Sequence, residues 1–286
     1  MKRLLLQLDG DRLPSAFDRV VAFDAGADEV MSYAGVGDDD VRGLVHGAIF
    51  TRAPKDLKST ALFIGGSSMA SAERLLESAR KAFFGPFRVS VMLDPNGSNT
   101  TAAAAVVKLV RAAGGDVRSV QATVLAGTGP VGVRAAGLLL RAGAKVTITS
   151  RDADHAAAAA KEIGARFKGN VEAVGVRSPA DLERVLASTQ LLLASGPAGV
   201  QLVPRQAWAG RSGLRAVADV NAVPPLGIEG VEATDDGEPR DGIRTLGALG
   251  IGGLKMKAHK AAIAQLFERN DLVLDAEQIY DLAAAL

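Results

Sequence analysis

The 286 residues are 48% hydrophobic and 23% charged, a balance that excludes disorder and supports a sizeable core divided between two domains. Lys and Arg number 33 against 32 Asp and Glu, so the net field selects neither nucleic acid nor an anionic membrane, and 4% aromatic residues leave few stacking platforms for single strands. The absence of cysteine excludes disulfides, thiolate nucleophiles, iron–sulfur clusters and cysteine-bound zinc, and favours a reducing, cytoplasmic setting.

Short β-rich runs alternate with helix-length amphipathic runs from end to end, the pattern of an α/β protein with mainly parallel sheets. Asp9 and Asp11 interrupt the first apolar run before it reaches signal-peptide length, so residues 3–9 read as a strand. Nothing later approaches the roughly twenty apolar residues of a membrane helix, and a soluble protein with no membrane partner is expected. Pro14 opens a predicted helix to about residue 24, with Phe17, Val20 and Val21 on its apolar face. A helix over 38–47, a strand over 60–64, a helix over 69–84 and a strand over 87–93 complete a first domain spanning 1–98.

Asp94-Pro95-Asn96-Gly97-Ser98 is dense in turn formers and marks the boundary. Thr100 and Thr101 begin an alanine-rich helix to about 113, where a hydroxyl either caps the helix or meets a ligand. Strands over 120–126, 145–150 and 190–194 follow, with helices after 130 and over 154–165. Strand-like pieces over 216–220, 231–233 and 243–246 precede a helix over 254–267. The last helix, 275–284, is long enough to return to the first domain, so 270–286 is assigned there and 99–269 to the second domain.

Gly127-Thr128-Gly129-Pro130-Val131-Gly132 lies between an apolar strand and a helix, the context of a Rossmann dinucleotide turn. Gly127 permits the tight turn, Gly129 the approach of backbone to pyrophosphate, and Gly132 close helix–strand packing. The second strand ends Thr149-Ser150-Arg151. An NAD-restricted site places a carboxylate there, whereas a 2′-phosphate needs cations and hydroxyls, so NADP is favoured, with NAD use left open. The other reading of Arg151 is a solvated residue ahead of a helix capped by Asp152 or Asp154. Ser195, after the strand over 190–194, and Asn221, in the stiff loop Asp219-Val220-Asn221-Ala222-Val223-Pro224-Pro225, are counted with the cofactor residues.

A glycine-rich loop, 247–253, delivers Lys255 into the start of a predicted helix. Lys255 and His259 are spaced i and i+4 and share a face, which either fronts a cleft or is the solvated side of a surface helix. The three histidines have no second ligand type at metal spacing, so no metal is assigned.

Several segments together resemble the NAD(P)-dependent methylene-tetrahydromethanopterin dehydrogenases of methylotrophic bacteria. They are Phe84-Gly85-Pro86-Phe87-Arg88-Val89-Ser90, the Asn96-Gly97-Ser98-Asn99-Thr100-Thr101 core, 126–132, Pro224-Pro225-Leu226-Gly227, and 247–255. The resemblance implies a pterin-side α/β domain followed by a Rossmann domain. It implies hydride transfer, in formaldehyde oxidation, from the one-carbon bridge of methylene-tetrahydromethanopterin to NADP or NAD; methylene-tetrahydrofolate is a second candidate substrate. The substrate's own nitrogens stabilise the methenyl cation, so such chemistry needs little acid or base, and the protein's task is to hold donor carbon and nicotinamide together.

By the same resemblance Phe17, Thr101, Lys255 and His259 line the pterin cleft. An ammonium beside a developing cation opposes hydride loss, so Lys255 is expected either to hold a polar group of the pterin away from the reacting carbon or to be neutral through desolvation. Distant relatives, the methylene-tetrahydrofolate dehydrogenase/cyclohydrolases, carry a Tyr-x-x-x-Lys pairing in the first domain. Here Gly37 stands four positions after Tyr33, so no cyclohydrolase activity is expected. The resemblance also implies a closed homo-oligomer, with a trimer favoured. An NADP-linked reductase of another small molecule, or a catalytically silent NADP sensor, would share the glycine turn.

Overall fold

The computed structural model describes residues 1–286. The chain folds as two compact units, Met1–Thr100 with Met256–Leu286, and Thr101–Lys255. Residues 256–269, expected in the second domain, thus group with the first unit. No helix is long and apolar enough to cross a membrane.

The first unit is built on β1 (Leu4–Leu8), α1 (Ala16–Asp24), β2 (Glu29–Tyr33), α2 (Asp38–Ile49), β3 (Thr60–Ile64), α3 (Met69–Ala82) and β4 (Ser90–Leu93). All strands are parallel, and β3 and β4 are buried along their whole length, as parallel strands covered on both faces must be. α1 begins later than Pro14, because the Ser15 side chain accepts the Asp18 N–H at 3.2 Å and caps the helix. Its inward face is Asp18, Val21 and Ala22, whereas Phe17 and Val20, expected with Val21 on the apolar side, are 50% and 60% exposed.

α4 (Ser98–Ala112) runs into the second unit, where β5 (Gln121–Leu125), α5 (Pro130–Arg141), β6 (Lys145–Ser150), α6 (Ala153–Phe167), β7 (Val171–Gly175), α7 (Pro179–Leu186), β8 (Leu191–Ala194), β9 (Ala216–Asp219), β10 (Asp236–Arg240) and β11 (Ile243–Leu246) follow. The sheet order is β10-β11-β9-β8-β5-β6-β7, parallel except for the antiparallel edge strand β10. The chain order reverses between β5 and β8, the switch point at which doubly wound sheets bind ligands.

Residues 231–233, expected as a strand, form coil and turn instead. Asp235 organises that turn, receiving Arg240 at 2.7 Å, the Thr245 hydroxyl at 2.8 Å and the Glu232 N–H at 3.0 Å. Burial pushes its carboxyl up, but those donors outweigh it and hold the acid below its ordinary value.

α8 (Ala248–Gln265) starts six residues before the expected 254, so the glycine run is not a loop. A Cβ on Gly247 or Gly250 would collide with the backbone of Glu232–Ala233 or Asp235, so these glycines let the helix start lie against that turn. β12 (Val273–Leu274) then pairs with β4, and α9 (Ala276–Ala285) closes the chain in the first unit. Asn99 Nδ2 donates to the Leu93 carbonyl at 2.6 Å and to Asp275 Oδ1 at 2.9 Å, tying the α9 cap to the end of β4.

Candidate active site

The glycine turn is held by the neighbouring strand. Ala126, in the left-handed region at φ 51°, donates its N–H to Thr149 Oγ1 at 3.2 Å, and Gly127 donates to the Thr149 carbonyl at 2.9 Å. A Cβ on Gly127 would stand 2.9 Å from the Val124 carbonyl, and one on Gly132 would stand 2.6 Å from Ser195 Oγ. Both glycines therefore serve close packing. Gly129 differs, since a Cβ there would meet no protein atom within 4 Å.

Gly129 opens onto a cavity of about 680 Å³, within the usual range for small-ligand sites. Thr128, Pro130 and Val131 line one side, so the amino end of α5, with its positive dipole end, faces the space. Ser150 and Arg151 line the end beyond β6, and Ser195 lies beyond β8, its hydroxyl fastened to the Leu125 carbonyl at 3.0 Å. Val176, Leu182, Val200 and Leu202 supply apolar surface. Open space at Gly129, a helix amino end and a flanking cation fit a dinucleotide bearing a pyrophosphate.

Asp152 caps α6, accepting the N–H groups of Asp154 at 2.9 Å and His155 at 3.1 Å. Those two donors, His155 first, pull its acid below the ordinary range. Arg151 thus precedes a capped helix and also lines the cavity. The Arg177 Nε donates to the Arg151 carbonyl at 2.7 Å and fixes the backbone there.

Asn221 is not among the residues lining this cavity. Its side chain is engaged by its own loop, receiving the Val223 N–H at 2.9 Å and donating to the Pro225 carbonyl at 3.1 Å, beside a cis Pro224–Pro225 bond. Asp219 supports the same loop through the N–H groups of Asn221 and Ile228, each at 2.9 Å. Burial raises the Asp219 acid above its ordinary value, against the pull of these donors.

In the first unit, His259 is fully buried, with Nε2 4.0 Å from Asp18 Oδ1. Its ring stacks on Phe63 at 5.8 Å and is tilted against Phe17 at 6.3 Å. Phe17 presents the exposed ring of this group. Lys255, in the second unit, is half-buried, Lys257 is exposed, and Lys260 pairs with Asp24 at 2.7 Å. His259 is therefore not a residue at the edge of a solvated helix.

Thr101 is half-buried, while Thr100 is enclosed and donates its hydroxyl to Asp94 Oδ2 at 2.7 Å. Asp94 also accepts the Asn99 and Thr100 N–H groups, so it performs the capping expected of the threonines. The sequence reading gave Asp18, Asp94 and His155 no role in the site. An acid preceding a turn of Pro, Asn and Gly signals a cap at Asp94, whereas no local pattern marks Asp18.

Residues 16–96 match the family described as methylene-tetrahydromethanopterin dehydrogenase, N-terminal. The chain is 32% identical over 280 residues to the NAD(P)-dependent methylenetetrahydromethanopterin dehydrogenase of Methylorubrum extorquens, covering 95% of this chain and 94% of that protein. The chain belongs to the methylene-tetrahydromethanopterin dehydrogenase family. It is also 51% identical over 282 residues to the Bifunctional protein MdtA of the same organism, covering 99% and 98% of the two chains. Among solved structures it shares its fold with shikimate 5-dehydrogenase of Listeria monocytogenes in complex with shikimate and NAD. That match has a TM-score of 0.56 at 15% identity and covers 98% of this chain and 96% of the other. Quinate dehydrogenase of Corynebacterium glutamicum in complex with NAD gives 0.53 at 16%, with both chains fully covered.

Proposed function

We infer that the chain is an NAD(P)-dependent dehydrogenase that removes a hydride from methylene-tetrahydromethanopterin and leaves the methenyl product. The observation that carries this reading is the cavity at the switch point, opened by Gly129 and flanked by Arg151, in a chain matching a dehydrogenase of that name along 95% of its length. When bound, the nicotinamide supplies the hydride acceptor. Thr128 to Val131 hold the pyrophosphate at the amino end of α5, while Ser150 and Arg151 meet the 2′-phosphate. Ser195 braces the floor of the turn against β5.

Phe17, Thr101, Lys255 and His259 are proposed to serve the pterin. The exposed ring of Phe17 offers a flat apolar face to the pterin, and His259 supports that ring from behind. The Lys255 side chain orients a polar group of the pterin away from the carbon that loses hydride.

Reduction of NADP by the purified protein with methylene-tetrahydromethanopterin tests the reading directly. Methylene-tetrahydrofolate, the second candidate substrate, is assayed beside it. Formyl product above the uncatalysed rate would contradict the absence of cyclohydrolase activity proposed from Gly37. A cytoplasmic, trimeric assembly, implied by the family resemblance, completes the proposal; light scattering of the purified protein tests the trimer.

A further inference from the structure

α1 carries a buried acid that the dehydrogenase reaction, as set out above, leaves without a task. Asp18 follows Phe17 in the chain, but its side chain turns inward and is enclosed while the Phe17 ring is half exposed. Taking a carboxylate out of water is costly, so an enclosed one calls for a reason in the structure around it. The helix does not supply that reason. The Ser15 hydroxyl caps α1 by accepting the Asp18 N–H, and although the helix dipole favours an acid in the first turn, an exposed acid would serve it as well.

Three elements of the first unit converge on this carboxylate. From α8, His259 Nε2 approaches Asp18 Oδ1 to 4.0 Å, too far for a direct hydrogen bond but close enough for strong electrostatic attraction where solvent screens little. From β3, Phe63 lies nearly parallel to the imidazole, at an interplanar angle of 16°. From the turn after β3, Gly65 leaves the space that the group fills, since a Cβ there would stand 3.1 Å from Phe63 Cε1 and 3.8 Å from Asp18 Oδ2. Asp9, 3.5 Å from the same point, is engaged elsewhere, accepting the N–H groups of Asp11 at 2.9 Å and Ser15 at 3.1 Å. Asp9 thus fixes the chain ahead of α1, and Asp18 is the acid that faces the imidazole.

We propose that Asp18 is a positioning residue for hydride transfer, its carboxylate holding the His259 ring in the orientation that supports Phe17 against the pterin. The proposal rests on the pterin reading of Phe17 and His259 and extends it to an enclosed residue that acts through them. Phe63 fixes the plane of the imidazole by stacking, and the carboxylate fixes its rotation within that plane by drawing Nε2 toward itself. A ring free to turn would pass its displacement to Phe17, 6.3 Å away, and so to the bound donor carbon. Misplacement of a reacting group by about 1 Å can slow a reaction on the order of a hundredfold.

The test is a double-mutant cycle on kcat with methylene-tetrahydromethanopterin and NADP, using the wild type, Asp18→Asn, His259→Ala and the double variant, each assayed well below its own thermal midpoint. Asparagine keeps the volume of the side chain and removes its charge. Asp18→Asn should lower kcat about tenfold, with a smaller change in KM for the pterin and none in the NADP dissociation constant. In the His259→Ala background the same substitution should change kcat less than about twofold, because the ring through which it acts is gone. Asp18→Glu, which retains the charge, should recover part of the lost kcat. An acid that only steadies the fold would lower the midpoint and leave the folded enzyme's kcat at the wild-type value. That result, an equal loss of kcat in both backgrounds, or failure of both Asp18 variants to fold would overturn the proposal. Failure of the pterin reading shows separately, as a wild type inactive with the methanopterin substrate or a His259→Ala enzyme with undiminished kcat, and either result removes Asp18 along with it.

Discussion

His259 Nε2 stands 4.0 Å from Asp18 Oδ1, with the imidazole wholly enclosed and stacked on Phe63. An enclosed ring is suited to supporting a neighbour rather than to exchanging protons with solvent, and its exposed neighbour is Phe17. His259→Ala should therefore cost about 2–4 kcal/mol of stability, as emptying a packed ring site does. It should also lower turnover while leaving the NADP dissociation constant unchanged, because the cofactor cavity lies in the second unit. Chemical denaturation and calorimetry read the two effects separately.

Gly129 and Gly132 make opposite predictions. Gly132→Ala forces a Cβ to within 2.6 Å of Ser195 Oγ and should lower the thermal midpoint, with an overpacking cost of about 1–3 kcal/mol. Gly129→Ala meets no protein atom within 4 Å, so the fold should keep its midpoint while affinity for both dinucleotides drops at least tenfold. Differential scanning calorimetry with and without NADP distinguishes the two.

Lys255→Met should lose most turnover and retain NADP binding. Unchanged turnover would remove Lys255 from the proposed pterin residues.

α7 supplies a pH prediction. The Ser178 hydroxyl, then the Arg177 N–H, hold the Asp181 acid down at about 2. Stability from that box is fully present above the unfolded value of about 3.9 and is lost as pH falls through about 2. The denaturation midpoint of Asp181→Asn should thus fall less than that of the wild type between pH 5 and pH 2.

The glycine turn was legible in the sequence because strand, glycines and helix are contiguous, and β3, β6 and β11 fall where their apolar runs end. The start of α8 was not, because Gly247 and Gly250 are set by the approach of a distant backbone turn, which a local reading takes for a loop. β10 reads Asp-Gly-Glu-Pro-Arg and has no alternation to detect, being an edge strand held by Arg240 and Asp235. The sequence reading placed no element at β2, β7 or α7. The two strands are short edges of their sheets, while α7 carried a readable start in Ser178, Pro179 and Asp181.

Phe17 and His259 were singled out by resemblance, and the structure adds Asp18 and Phe63 around them. Those two come from α1 and β3, far apart in the chain, so no spacing rule joins them.

The most direct measurement is absorbance at the reduced-nicotinamide band with purified protein, NADP or NAD, and methylene-tetrahydromethanopterin or methylene-tetrahydrofolate in all four combinations. The account predicts strong reduction with the methanopterin substrate, faster with NADP. Silence in all four, with NADP still bound, would contradict it and leave a nucleotide-binding protein with another substrate or none.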